Sequence, residues 1–264
     1  MEYTWRAEVP ASNDVGTGGV LLSSFPSAGL ATTVAGHYMI RALKLPRIGR
    51  FESPDIAPIA VVQGGEVNPT IRVYGHSSLG LVLSEFPPSP AQANALARAI
   101  LQNAEHRGVR LLVCLEGVVP HPEEDDEGAP AAVPDAAPDE QVWVAYSRKD
   151  PAALKAFEAA KVRVLDDGVI GGVSGALLVQ GLGRPIPVAV LLVSARAAGG
   201  LPDHRAGAAL IETLDRLLPE LKIDTGPLRA QAEEIEKALR AAMRSHPSTA
   251  PPEPEAPPAA EMYR

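Results

Sequence analysis

Two apolar runs govern what this chain can become: residues 186–193, IPVAVLLV, and residues 109–115, VRLLVCL. Each is too short to span a membrane and too evenly apolar for a strand with one wet face, so each reads as a strand buried on both faces. A sheet covered on both sides needs helices above and below it, and the flanking sequence supplies them. Ser89 with Pro90 opens a helix that Gly108 ends. Asp150 with Pro151 opens another, through about residue 160. Pro202-Asp203 precedes a stripe of Ala206, Leu210, Leu214 and Leu217 at helical spacing.

The remaining segments fit the same plan. Residues 19–25 read as a strand, broken by Pro26 to Gly29 before a helix to about residue 43. Residues 59–62, 70–74 and 79–83 are β-rich, parted by glycines and Asn68-Pro69, and predict a hairpin or meander. Residues 141–145 and 162–165 are extended, and a glycine-spaced helix covers about 172–182. Thr225 with Pro227 caps a last helix striped by Leu228, Ile235, Leu239 and Met243. The fold predicted is a three-layer α/β structure: a mostly parallel sheet, helices on both faces and an early β-meander. Aromatic residues are only 4% of the chain, so the core must close on small aliphatic side chains.

Two segments fall outside the plan. Residues 120–140 turn acidic and rich in proline and alanine, without hydrophobic periodicity, and predict an exposed mobile insertion. From residue 245 the chain reads SHPSTAPPEPEAPPAAEMYR, where prolines forbid a helix. The organisation expected is a domain over residues 1–244 and a disordered tail over 245–264. In polyproline II the tail would span on the order of 50 Å before Met262.

Net charge is −8, and no basic cluster alternates with aromatics, which speaks against nucleic acid or an anionic membrane as partner. The single cysteine, Cys114, sits in an apolar run as a buried thiol. The absence of a basic-then-apolar leader and of long apolar stretches points to the cytoplasm.

Catalytic motifs are weak. Gly16, Gly18 and Gly19 precede the first predicted strand instead of following it, and no phosphate-loop lysine is present. Gly168, Gly171, Gly172 and Gly175 suit a tight turn and close helix packing. Ser174 could be a nucleophile with His204 and Asp203 or Asp224, but the glycine two places after the serine is missing. The six histidines lack the spacing of a metal site. No catalytic residue, cofactor or metal is expected. The tail is the stronger signal, because Met262, Tyr263 and Arg264 follow a long stretch without large apolar side chains. Docked in a partner's pocket, the Tyr263 ring would bury apolar area, and a carboxylate on Arg264 could meet a lysine.

Several phrases in order resemble the PAC2 family, the proteasome assembly chaperones and their archaeal and bacterial relatives. Phe25-Pro26-Ser27-Ala28-Gly29-Leu30 looks like its early strand-loop-helix signature, and Leu83-Ser84-Glu85-Phe86-Pro87-Pro88 like its next landmark. Asp167-Gly168-Val169-Ile170-Gly171-Gly172-Val173-Ser174-Gly175 resembles its glycine-rich turn and helix. Asp203 with Ala208-Ala209, and Ile223-Asp224 followed by Leu228, Ala232 and Ile235, resemble its C-terminal half. The resemblance implies a Rossmannoid sheet of phosphorylase/hydrolase type, a homo-oligomer and no established catalytic site. It also implies that Met262-Tyr263-Arg264 acts as a hydrophobic-tyrosine-any residue motif entering pockets between α-subunits of the 20S proteasome. The alternative is a hydrolase- or phosphorylase-type enzyme with a site near the glycine-rich turns.

Overall fold

The computed structural model describes residues 2–9, 17–76, 78–119, 140–196 and 201–245. The acidic segment apart from Glu140, and the tail with Met262, Tyr263 and Arg264, lie outside the described residues. So do the side chains of Leu239 and Met243.

The fully apolar runs become the middle of a nine-stranded sheet. Its strands are β1 (Thr4–Ala7), β2 (Val20–Ser24), β3 (Arg47–Glu52), β6 (Arg72–His76), β7 (Leu79–Leu83), β8 (Leu111–Val118), β9 (Val142–Tyr146), β10 (Arg163–Val164) and β11 (Val188–Ser194). The spatial order is β1-β3-β6-β7-β2-β8-β11-β9-β10. A second, two-stranded sheet pairs β4 (Val61–Gln63) with β5 (Glu66–Asn68) around Gly64-Gly65. Parallel pairing is concentrated in the centre, β7-β2-β8-β11, in register from Val20↔Leu79 and Val20↔Leu111 to Ser194↔Val118. The β1-β3-β6-β7 flank is antiparallel, and β9 runs antiparallel to β11. Of the expected meander, residues 70–74 and 79–83 form the β6-β7 hairpin, which β3 and β1 extend, whereas the run at 59–62 leads into β4 of the separate sheet instead of joining it.

Six helices among the described residues cover the sheet: α1 (Ala31–Ala42), α2 (Pro90–His106), α3 (Pro151–Ala159), α4 (Gly172–Gly181), α5 (His204–Leu217) and α6 (Gly226–Ser245). Their starts follow the local chemistry. Ser89 and Gln92 form a reciprocal capping box, Asp150 accepts from the N–H groups of Ala152 and Ala153, and Asp203 accepts from Ala206. At α6 the Thr225 hydroxyl instead donates to Glu212 at 2.7 Å, and Asp224 accepts from the Gly226 N–H.

Strand alternation sends Leu22, Val113, Leu115, Ala189 and Leu191 to one face, against α1, α3 and α5. It sends Leu21, Leu112, Cys114, Val190 and Leu192 to the other, against α2 and α4. The result is two cores with the sheet between them, and α6 lies outermost on α5. Arg72 is fully buried and is held by the Glu85 carboxylate, the Tyr74 hydroxyl at 3.0 Å and the Pro69 carbonyl at 2.9 Å. A buried guanidinium needs such a set of acceptors. No helix among the described residues is long and apolar enough to cross a membrane.

Candidate functional site

At the carboxyl edge of the parallel strands, β2 leads to α1 on one face and its neighbour β7 leads to α2 on the other. Sheets of this kind gather ligands where adjacent connections diverge. Three of the phrases singled out in the sequence meet here.

The turn after β2 is closed by its own hydroxyls. Ser24 Oγ donates to the Thr32 carbonyl at 2.8 Å, Thr32 Oγ1 donates to the Phe25 carbonyl at 2.5 Å, and Ser27 Oγ accepts from the Gly117 N–H at 2.9 Å. Gly29 adopts φ +60°, and its carbonyl accepts from the Asp203 N–H at 2.7 Å. Asp203 in turn accepts from Arg196 N at 2.8 Å and from Ala206 N at 3.0 Å, so one carboxylate caps α5 and binds the end of β11. The next phrase is anchored at Glu85. Burial pushes its carboxyl up, but hydrogen bonds from His37 and Arg72 more than offset this and hold it below the usual carboxylate range.

Between these elements and the start of α4 lies a crevice of about 300 Å³. Its walls are Phe25, Pro26, Pro87, Pro88, Val118, Ile170 and Leu192, and Val169 stands fully exposed beside it. The polar side chains lining it are Glu116, near the end of β8, and Ser174, in the first turn of α4. Ser174 Oγ donates to Glu116 Oε2 at 2.7 Å. Burial raises the Glu116 carboxyl from 4.5 to about 7, with the Ser174 hydrogen bond acting weakly the other way. Cys114, two residues earlier on the same face, is fully buried, and burial with the nearby Glu116 pushes its thiol far up, which keeps it protonated. Gly171 is the N-cap of α4, and no side chain caps the first N–H groups of the helix.

The sequence names Ser174, His204, Asp203 and Asp224 as a conceivable triad, and the structure keeps them apart. Ser174 faces Glu116 on the α2-α4 side of the sheet. His204 Nδ1 lies 3.1 Å from the Pro202 carbonyl on the α5 side, Asp203 is engaged as a cap, and Asp224 accepts from Gly226. Glu116 was the residue to find. It shares strand parity with Leu112 and Cys114, so an acid stands on the apolar face of a buried strand, a signal readable in VRLLVCLEG. No cluster of three metal-ligating side chains occurs among the described residues.

Comparison with known proteins covers nearly all of this architecture. The model of the PAC2 family matches residues 21–243. An uncharacterized protein of Methanocaldococcus jannaschii is 27% identical over 247 residues, 93% of this chain and 92% of its own. Among solved structures, PbaA of Pyrococcus furiosus, described as an archaeal homolog of proteasome-assembly chaperone, superposes with a TM-score of 0.76 at 22% identity, covering 93% of each chain. PbaB of the same organism, described as an archaeal proteasome activator, gives 0.72 at 20% identity, covering 91% of this chain and 98% of its own. At these identities the likeness is one of fold.

Proposed function

Because the chain belongs to the PAC2 family, we propose that it is a proteasome assembly chaperone or adaptor that grips 20S α-subunits with Met262, Tyr263 and Arg264. The observation that carries this reading is the match of more than nine-tenths of the chain to PbaA, described as a homolog of proteasome-assembly chaperone, and to PbaB, described as a proteasome activator. The role is one of binding in the cytoplasm and asks for no catalytic step, cofactor or metal.

The described part of the chain suits a tether. α6 is 20 residues long, about 30 Å. Its first turns are seated by buried Leu228 and Ala232. Arg229 lies between Glu140 and Glu212, with contacts of 2.7 to 3.0 Å, and Glu236 accepts from Arg205 at 2.6 Å. Half-buried, multiply bonded pairs of this kind fix a helix better than single surface pairs do. On this proposal α6 gives residues 245–264 a fixed point of departure, with the folded domain ending at 244. A homo-oligomer would display several copies at a ring of repeated pockets, where effective concentration makes up for a weak tripeptide.

Removing residues 262–264, or Tyr263→Ala, should abolish co-purification with α-rings while the melting temperature stays unchanged. Retention of α-rings by the truncated chain would refute the proposal.

A further inference from the structure

The crevice beside α4 has no part in tail-based binding, yet it holds chemistry that packing does not require. Among the described residues the influences on Glu116 are burial and the Ser174 hydroxyl, with no cation among them. An uncompensated buried acid is costly, and such groups gather at functional sites. Gly171 and Gly172 stand at the mouth, and a methyl group on either would meet no atom within 4 Å. Gly172 needs glycine for its φ of +62°, whereas Gly171, at φ −103°, does not. Gly171, Gly172, Val173 and Ser174 all line the crevice, and no side chain caps the start of α4.

These observations join in one concave place a hydroxyl, a carboxylate in hydrogen-bond contact with it, the uncapped start of a helix and an apolar wall. We infer that Ser174 and Glu116 are the nucleophile and base of an acyl-transfer site acting on small carboxylic esters with a short apolar acyl group. Ser174 Oγ attacks the carbonyl carbon and passes its proton to Glu116, while the carbonyl electron pair moves onto an oxygen facing the α4 N–H groups. Collapse breaks the ester C–O bond, and the leaving oxygen departs as the alcohol with the proton from Glu116. Water then attacks the acyl-serine and gives a proton to Glu116, which returns it to Ser174 Oγ as the carboxylic acid leaves.

The base must be ionised to act, so the rate rises as pH passes through about 7 and levels off above it. Among the described residues the groups facing Glu116 leave this limb unmixed: Cys114 on its own strand stays protonated, α4 contributes Ser174, and the crevice walls bring no further ionisable side chain.

The test uses the full chain with p-nitrophenyl acetate and butyrate, and with a fluorophosphonate label located by mass spectrometry. The expected result is an adduct on Ser174 and hydrolysis with a limb near pH 7. Both should fall by at least about a hundredfold in Ser174→Ala and in Glu116→Gln. His204→Ala, and a chain lacking residues 246–264, should react like the parent. The truncated chain separates this site from the tail, since it would lose α-rings and keep the label. Absence of the adduct from the folded protein, hydrolysis that survives Ser174→Ala, or labelling of Glu116→Gln at the parent rate would each overturn the assignment. A thermal melt of each variant confirms that it is folded.

Discussion

Two glycine-bearing turns meet the same edge of the sheet and use their glycines in opposite ways. In the turn at residues 25–30, Gly29 is enclosed: a methyl group there would lie 2.5 Å from the Arg196 carbonyl and 2.9 Å from Asp203 Cβ. Around it three hydroxyls and one carboxylate bond to backbone. In the turn at residues 168–175 only Gly175 is enclosed to that degree, against the Ile170 carbonyl, while Gly171 and Gly172 look onto open space. Glycine content alone makes the two turns look alike. The surroundings separate them into a joint that holds α1, β8 and α5 together and a mouth that gives access to Glu116 and Ser174.

The sharpest way to break this contrast is Gly29→Ala. The left-handed φ and the collision with a backbone carbonyl add, so a loss of about 3 kcal/mol is expected. It would be read as a lower urea midpoint at unchanged slope. A loss below about 1 kcal/mol would mean that the joint yields and that the two turns are not different in kind.

The open turn should reveal itself through pH. Glu116 holds its proton up to about pH 7 in the folded chain, against about 4.5 when unfolded. Below 4.5 both states are protonated and there is no penalty. As pH rises from 4.5 to 7 the unfolded state ionises first, so folding stability falls, and above 7 the deficit is constant. The full deficit is about 3 kcal/mol at most. Glu116→Gln removes the titration, so stability relative to the parent should climb between pH 4.5 and 7. A difference that does not vary with pH would place the Glu116 carboxyl in water and close the crevice as a site.

Much of this was legible in the chain, and what was hidden has identifiable causes. The strands of the parallel centre announce themselves by unbroken apolarity, and Ser89, Asp150 and Asp203 announce the helices they cap. β1 and β3 do not: TWRA and RIGRFE carry charges whose partners lie some 40 residues apart. Arg50 bonds Glu8, and Arg6 bonds Glu52, only once the strands are paired. Arg72 defeats the rule that arginine faces water, because its acceptors come from Pro69, Tyr74 and Glu85. Ser174 was visible, but its partner was not, since an acid in an apolar strand draws attention only when parity is followed through to Glu116. His204 looked plausible in one dimension and lies across the sheet.

Gly171→Ala is the smallest change and the most discriminating. Gly171 precedes α4 in extended geometry that alanine adopts freely, and its added methyl meets nothing. Stability should therefore shift by only about 0.5 kcal/mol, the usual cost of alanine at a helix cap. The methyl nevertheless stands in the mouth of the crevice, so fluorophosphonate labelling of Ser174 should slow several-fold while the melting temperature barely moves. If instead Gly171→Ala destabilises the fold as strongly as Gly29→Ala, the second turn is also a joint. Its open space would then have no function, and the acyl-transfer site would lose its entrance.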